Sequence, residues 1–230
     1  MNQGMFTLLL GLLLGIKHAF EADHIIAVST ILTEQRNSYK SALVGTFWGI
    51  GHTATLFIVG IIILLAKVSI PARISNILEF GVGIMLVFLG IRNFMQGRIL
   101  IHQHEHKHNN TNHKHKHYHK GETNLHAHHK SFFIGSVHGL AGSGALMILV
   151  LSTINSVTQG LYYIILFGIG SIFGMTAMSF IIGLPFTYGV NKSPNIEKYI
   201  RVVAGTLSII FGLYVIYQIG IVEKFSGHPS

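Results

Sequence analysis

Two stretches of this chain contain no Asp, Glu, Lys or Arg at all: Ala42 to Ala66, and Ser131 to Asn191. Soluble domains carry about a quarter charged residues, whereas the whole of this chain has 10%. Uncharged runs of that length point to helices in a bilayer, which need about 20 apolar residues to cross it. Six segments meet that requirement: Met5–Leu32, Ala42–Ala66, Ile77–Met95, Phe132–Ile154, Leu161–Val190 and Ile200–Ile219. Met5–Leu32 is interrupted by polar residues from Lys17 to His24. It has neither a basic leader nor a clear small-residue cleavage site, so it reads as a span and not as a removable signal. Cysteine is absent. That excludes disulfides, thiolate metal sites, iron–sulfur clusters and thiol relays.

Lysine and arginine favour the cytoplasmic face of membrane proteins. With the N-terminus outside, 12 of them fall in cytoplasmic loops and 3 in outside loops, while Lys17 lies in the first span. Both termini are then outside, and the long loop near 96–130 is cytoplasmic. The net charge of +8 resides mostly in loop lysine and arginine. The loops lack the aromatic residues that stack bases, so no nucleic-acid partner is expected.

A three-helix unit recurs. Gly15-Ile-Lys-His18 matches Gly135-Ser-Val-His138 at an offset of 120. Trp48-Gly-Ile-Gly51 matches Phe167-Gly-Ile-Gly170 at 119, and Gly83/Gly90 match Gly205/Gly212 at 122. An odd number of spans per unit inverts the second copy, a recurrent plan of secondary transporters. The expected architecture is an all-α membrane protein of six transmembrane helices forming two inverted three-helix repeats. Residues 1–95 make the first repeat, 96–130 the His-rich loop and 131–230 the second repeat. Pairs such as Gly11/Gly15 and Gly170/Gly174 let helix backbones approach closely. Thr176, Ser179 and Ser208 are expected to hydrogen-bond between helices.

The first span carries Lys17-His18-Ala19-Phe20-Glu21-Ala22-Asp23-His24, with two of the chain's eight acids. An aspartate at a helix centre costs about 2.5–3.5 kcal/mol to insert. Such residues face the bundle interior and mark a pathway or site. Imidazole and carboxylate together suit a borderline divalent cation: nickel, cobalt, zinc or manganese. One straight helix cannot aim the set at one point. At about 100° per residue, Asp23 lies some 140° and His24 some 240° from His18. A local break in the helix would bring them together. His52, in Gly51-His52-Thr53, and His138 also lie in apolar spans. Taken singly, each reads as a packing histidine; beside the first span they become candidate ligands.

These residues resemble those of a known family. His18-x4-Asp23-His24 is similar to the H-x4-D-H signature of the nickel/cobalt transporter (NiCoT/NicO) superfamily, and Gly51-His52-Thr53 to its G-H-[ST] element. Val137-His138-Gly139-Leu140-Ala141-Gly142-Ser143 resembles the urease-accessory, UreH-type branch of small nickel permeases. The resemblance implies metal selection by His18, Asp23, His24 and His52, with Glu21 and His138 as lesser candidates. It implies nickel or cobalt as transported substrate, with no permanently bound cofactor. Its implied partners, besides the bilayer, are a cytoplasmic metallochaperone or urease maturation proteins, in a prokaryotic cell membrane. The chain departs from the classical eight-helix members: its fourth span holds His138 and no carboxylate, and their extra helices are missing.

Eleven of the 16 histidines lie between His102 and His129: His102, His104, His106, His108, His113, His115, His117, His119, His126, His128 and His129. Low-complexity sequence of this kind is not expected to fold alone. Several neutral imidazoles on a tether would capture metal weakly and unselectively. Three other readings compete. Nickel/cobalt efflux would need coupling to a second gradient, and Glu21 and Asp23 are the only clearly embedded carboxylates available for it. A membrane haem redox protein would use His18, His52 and His138 as axial ligands. His18-x4-Asp23 also matches an acyltransferase core, but there is no folded domain outside the membrane to house it. H-E-x-x-H is absent, so no zincin protease is expected and no enzyme activity is assigned.

Overall fold

The computed structural model describes residues 3–33, 35, 37–66, 71–99, 104–108, 111–115, 124–140, 154, 156–192 and 194–223. The helices are α1 (Gln3–Ala19), α2 (Ala22–Leu32), α3 (Ser38–Ala66), α4 (Ala72–Ile99), α5 (Asn124–Gly139), α6 (Val157–Lys192) and α7 (Pro194–Tyr217). A π-helical turn, Gln218–Glu223, continues α7. Four helices are long and apolar enough to cross a membrane, namely α3, α4, α6 and α7, while α1 and α2 are shorter apolar helices. Their outward side chains are large and apolar. Ile58, Ile62 and Leu65 of α3, Phe88 of α4 and Phe173 of α6 are each more than half exposed. Apolar exposure on that scale suits lipid tails and not water.

The first span is divided, as its polar residues require. Phe20 and Glu21 donate backbone hydrogen bonds three residues back, to Lys17 and His18, which tightens and ends α1. Glu21 is extended, at φ −66° and ψ 150°, and α2 begins after it with Asp23 in its first turn. Lys17 and His18 occupy the last turn of α1. Basic groups at a C-terminus and an acid at an N-terminus both complement the helix dipoles. The sequence thus supplies both halves of the break.

Helix α1 packs along α6, and α3 packs along both α5 and α6. At the α1–α6 crossing a Cβ on Gly15 would strike the Phe167 carbonyl; at the α3–α5 crossing one on Gly135 would strike the Trp48 carbonyl. Gly135 stands 120 positions after Gly15, and Phe167 119 after Trp48. Helices α4 and α7 form a separate pair, with Gly83 against Gly212 and Gly90 against Gly205. The short α2 lies between that pair and the rest. Its Ala27, Val28 and Leu32 are wholly buried in a core with Trp48, Leu86, Leu89, Met175 and Met178. Thr176 bonds Thr46 across 2.9 Å, and Ser208 donates to the Leu86 carbonyl at 2.7 Å. The Ser179 hydroxyl is buried without a hydrogen-bond partner, contrary to its expected role.

The His-rich segment corrects two expectations. It is not wholly unstructured: His104–His108 and Thr111–His115 pair as an antiparallel hairpin. Alternating His-x-His sequence has the two-residue period of a strand, and that period was there to be read. His126, His128 and His129 belong to α5, not to the loop, and the His128 ring stacks on Phe47 of α3 at 4.6 Å. His102, His117 and His119 lie outside the described residues, as does 141–153 of the fourth expected span.

Candidate metal centre

Four imidazoles meet beside the break in the first span. His18 ends α1, His24 opens α2, His52 lies midway along α3, and His138 is in the last turn of α5. All four are at most 1% exposed. The Nε2 atoms of His18 and His52 are 3.0 Å apart. Ring centroids are 4.5 Å apart for His18–His24, 5.1 Å for His24–His52 and 4.4 Å for His24–His138. Ligand atoms of His18, His24 and His52 fall within 4.8 Å of one another, and so do those of Asp23, His24 and His138. Two triads thus share His24.

The carboxylates divide the work. Asp23 places Oδ2 2.8 Å from His138 Nε2 and Oδ1 3.2 Å from His24 Nδ1. Glu21 places Oε2 3.0 Å from His18 Nδ1. Neither the Glu21–His18 nor the Asp23–His24 contact is aligned as a hydrogen bond; in both, the carboxylate stands at ion-pair distance from the ring. The Asp23 and Glu21 side chains are 27% and 34% exposed respectively, so the acids form the accessible margin of a site whose imidazoles are enclosed. Both nitrogens of His24, and Nδ1 of His18, His52 and His138, are buried with no hydrogen-bond partner. Buried unsatisfied polar atoms are costly; several together, on potential ligands, are what a site for a cation looks like.

All six residues singled out in the membrane spans are therefore brought together, and the break supplies the geometry that one straight helix denies. Two aromatic walls went unassigned in the sequence. Phe167 faces His18 at 5.5 Å and Trp48 faces His138 at 5.5 Å. Both residues had been visible only as matching positions in the repeat pattern. That each backs one of the matching histidines His18 and His138 was there to be inferred from the same offsets.

The fold and site define an integral membrane protein with a buried histidine cluster, edged by two carboxylates, between broken and continuous helices. The chain belongs to the family of the cytochrome c biogenesis protein transmembrane region, whose family model matches residues 6–214. It is 42% identical over 216 residues to the urease accessory protein UreH of Bacillus sp. (strain TB-90), covering 94% of this chain and 92% of that protein. It is also similar to two Arabidopsis thaliana proteins, chloroplast protein FOR GROWTH AND FERTILITY 2 (27% identity) and FOR GROWTH AND FERTILITY 1 (26%). Each match covers 90% of this chain, and 55% and 57% of those proteins respectively. No solved structure matches. At 42% identity over most of both chains, this chain also belongs to the family of that urease accessory protein. The cytochrome description does not bring thiol chemistry with it, because this chain has no cysteine.

Proposed function

We propose that the protein carries a divalent transition-metal ion, nickel or cobalt, across the membrane into the cytoplasm, as a member of the NiCoT/NicO superfamily and not as an enzyme. The observation that carries this reading is the convergence of His18, His24, His52 and His138 with Asp23 at a helix break. Metal–imidazole bonds are about 2.0–2.1 Å. Two such ligands on one ion stand about 2.9 Å apart at a right angle and about 3.3 Å apart at a tetrahedral one, and the His18–His52 nitrogens are 3.0 Å apart. His18, Asp23, His24 and His52 select the ion. Asp23 and Glu21 balance its two charges, so that the loaded site is near neutral and its burial is cheaper. Glu21 orients His18, and His138 holds Asp23. The dication gains about 2.3 kcal/mol per charge per 100 mV on entering, about 4.6 kcal/mol in all, so import needs no second gradient.

The reading extends to the whole chain. Two inverted repeats would have the site at their interface, and the matching Gly15–Phe167 and Gly135–Trp48 crossings support them. The histidines of the cytoplasmic loop would buffer arriving metal and pass it to a metallochaperone or to urease maturation proteins. A bacterial cell membrane is the setting. Haem is disfavoured, because axial nitrogens lie about 4 Å apart across an iron, twice a bond of about 2 Å, with a porphyrin between them.

Metal-isotope uptake tests the proposal. Cells expressing the wild type, Asp23→Ala and His18→Ala are compared, with nickel, cobalt, zinc and manganese in competition. Wild-type cells should accumulate nickel or cobalt, and both variants should fall to background at normal membrane abundance. Wild-type cells depleted of metal would establish efflux instead, and normal uptake by the variants would refute the site.

A further inference from the structure

Helix α2 carries Asp23 and His24 and does not continue the hydrogen-bonded helix of α1, because the chain is broken at Phe20–Glu21; α1 meets it through the His18 ring against His24. The apolar contacts of α2, through Ala27, Val28 and Leu32, are non-directional and resist an axial slide poorly. At its far end stands a polar bridge. Thr33, which caps α2, is 4% exposed, and its hydroxyl lies 2.8 Å from Oδ1 of Asn93 on α4. The same hydroxyl is 2.8 Å from the Thr30 carbonyl, so one proton is shared between two acceptors. Asn93, 2% exposed, donates Nδ2–H to the Arg201 carbonyl of α7 at 3.0 Å. Arg201 is itself buried and paired with Glu197 at 2.9 Å. Three helix ends are thereby tied at one point.

Resting on the metal-transport reading, we infer that the Thr33–Asn93–Arg201 bridge is the axial stop that positions Asp23 and His24 against His18 and His52, and so sets the metal preference. Thr33 and Asn93 are positioning residues; along α2, at 1.5 Å of rise per residue, Thr33 stands about 15 Å from Asp23. A hydrogen-bonded helix transmits displacement at one end to the other. Metal ligation tolerates about 0.2 Å in bond length, and a built site about 0.5 Å in side-chain placement. A slide of one ångström at Thr33 therefore reaches the cluster as a misfit. Asn93 suits this task because one amide accepts from α2 and donates to α7 from a single rigid plane. A hydrophobic residue there would fill the space and leave α2 free to find its own depth.

The test uses the full-length protein, purified in detergent, and titration with nickel, cobalt and zinc. Thr33→Val keeps the shape and removes the hydroxyl; Thr33→Ser keeps the hydroxyl. Asn93→Leu removes both bonds of the amide. The inference expects Thr33→Val and Asn93→Leu to weaken nickel or cobalt binding about tenfold and to narrow the preference over zinc, with Thr33→Ser close to wild type. In transport the same variants should raise KM with little change in kcat. If Thr33→Val binds every metal as wild type does, or Thr33→Ser loses as much as Thr33→Val, the bridge is structural only and the inference fails. Asp23→Ala runs alongside. Wild-type affinity in that variant overturns the site itself; lost affinity there with unaltered Thr33→Val overturns the stop alone. Should Asn93→Leu not fold, the Thr33 pair decides the question.

Discussion

On the proposed reading, Glu21 matters without touching the ion. Its carboxylate, 3.0 Å from His18 Nδ1, would favour the form of that ring with its proton on Nδ1 and Nε2 left for the metal. Groups of this kind contribute about 10–100-fold to metal affinity when removed. Glu21→Ala should therefore lower the affinity of the purified protein for nickel within that range. Glu21→Gln, which keeps an oxygen acceptor but loses the charge, should lose less. Calorimetric titration of the two variants checks the order. Equal losses would assign Glu21 to charge balance instead of orientation. The sequence pointed to Glu21 as a ligand or pathway group because composition cannot tell a carboxylate that binds metal from one that binds a ligand's far nitrogen. That distinction needs the angle between α1 and α2.

Among the elements, the helix crossings hold the ligands in place. Gly135 lets α5 rest on the Trp48 carbonyl of α3, and His138 and His52 are carried by those two helices. A side chain at 135 must push the helices apart and separate the imidazoles. Gly135→Val should sharply reduce folded protein in the membrane and abolish metal binding in what remains. Gly81 on α4 faces open space, and Gly81→Ala should raise stability by about 0.5–1 kcal/mol through the helix propensity gained. Thermal unfolding in detergent, read by fluorescence-detected size exclusion, compares the two. A Gly135→Val protein as stable as wild type would remove the close crossing from the account. The spacing Gly15-x2-His18 and Gly135-x2-His138 announced these crossings in the sequence, and charge-free runs announced the long helices. What stayed illegible was the pairing between distant elements. Nothing local in Thr33, Asn93 or Arg201 shows that three helix ends meet there, and the alternation of His104 to His115 looked like disorder because composition outweighed its period of two.

At the scale of the whole molecule, one set of helix ends is polar and interlinked. The start of α3 meets the end of α6, where Ser38 and Thr187 lie 3.2 Å apart. Thr33, Asn93 and Arg201 join the ends of α2, α4 and α7. Arg36, Lys40, Arg92, Lys192, Lys198 and Arg201 occur at or beside these ends in the sequence, and the positive-inside rule assigns such a face to the cytoplasm. On the proposed reading the ion leaves the site by this face, since a dication driven by the membrane potential moves toward the cytoplasm. The natural absence of cysteine makes the test direct, because any introduced thiol is unique in the chain. Tyr39, 76% exposed at the start of α3, lies at the polar face. Gln159, exposed at the start of α6, lies at the opposite end of that helix. In intact cells a membrane-impermeant maleimide should label Gln159→Cys and spare Tyr39→Cys until the membrane is permeabilised. Labelling in the reverse order would turn the protein over, put the histidine-rich hairpin outside, and make the potential oppose the step from site to hairpin that handover requires.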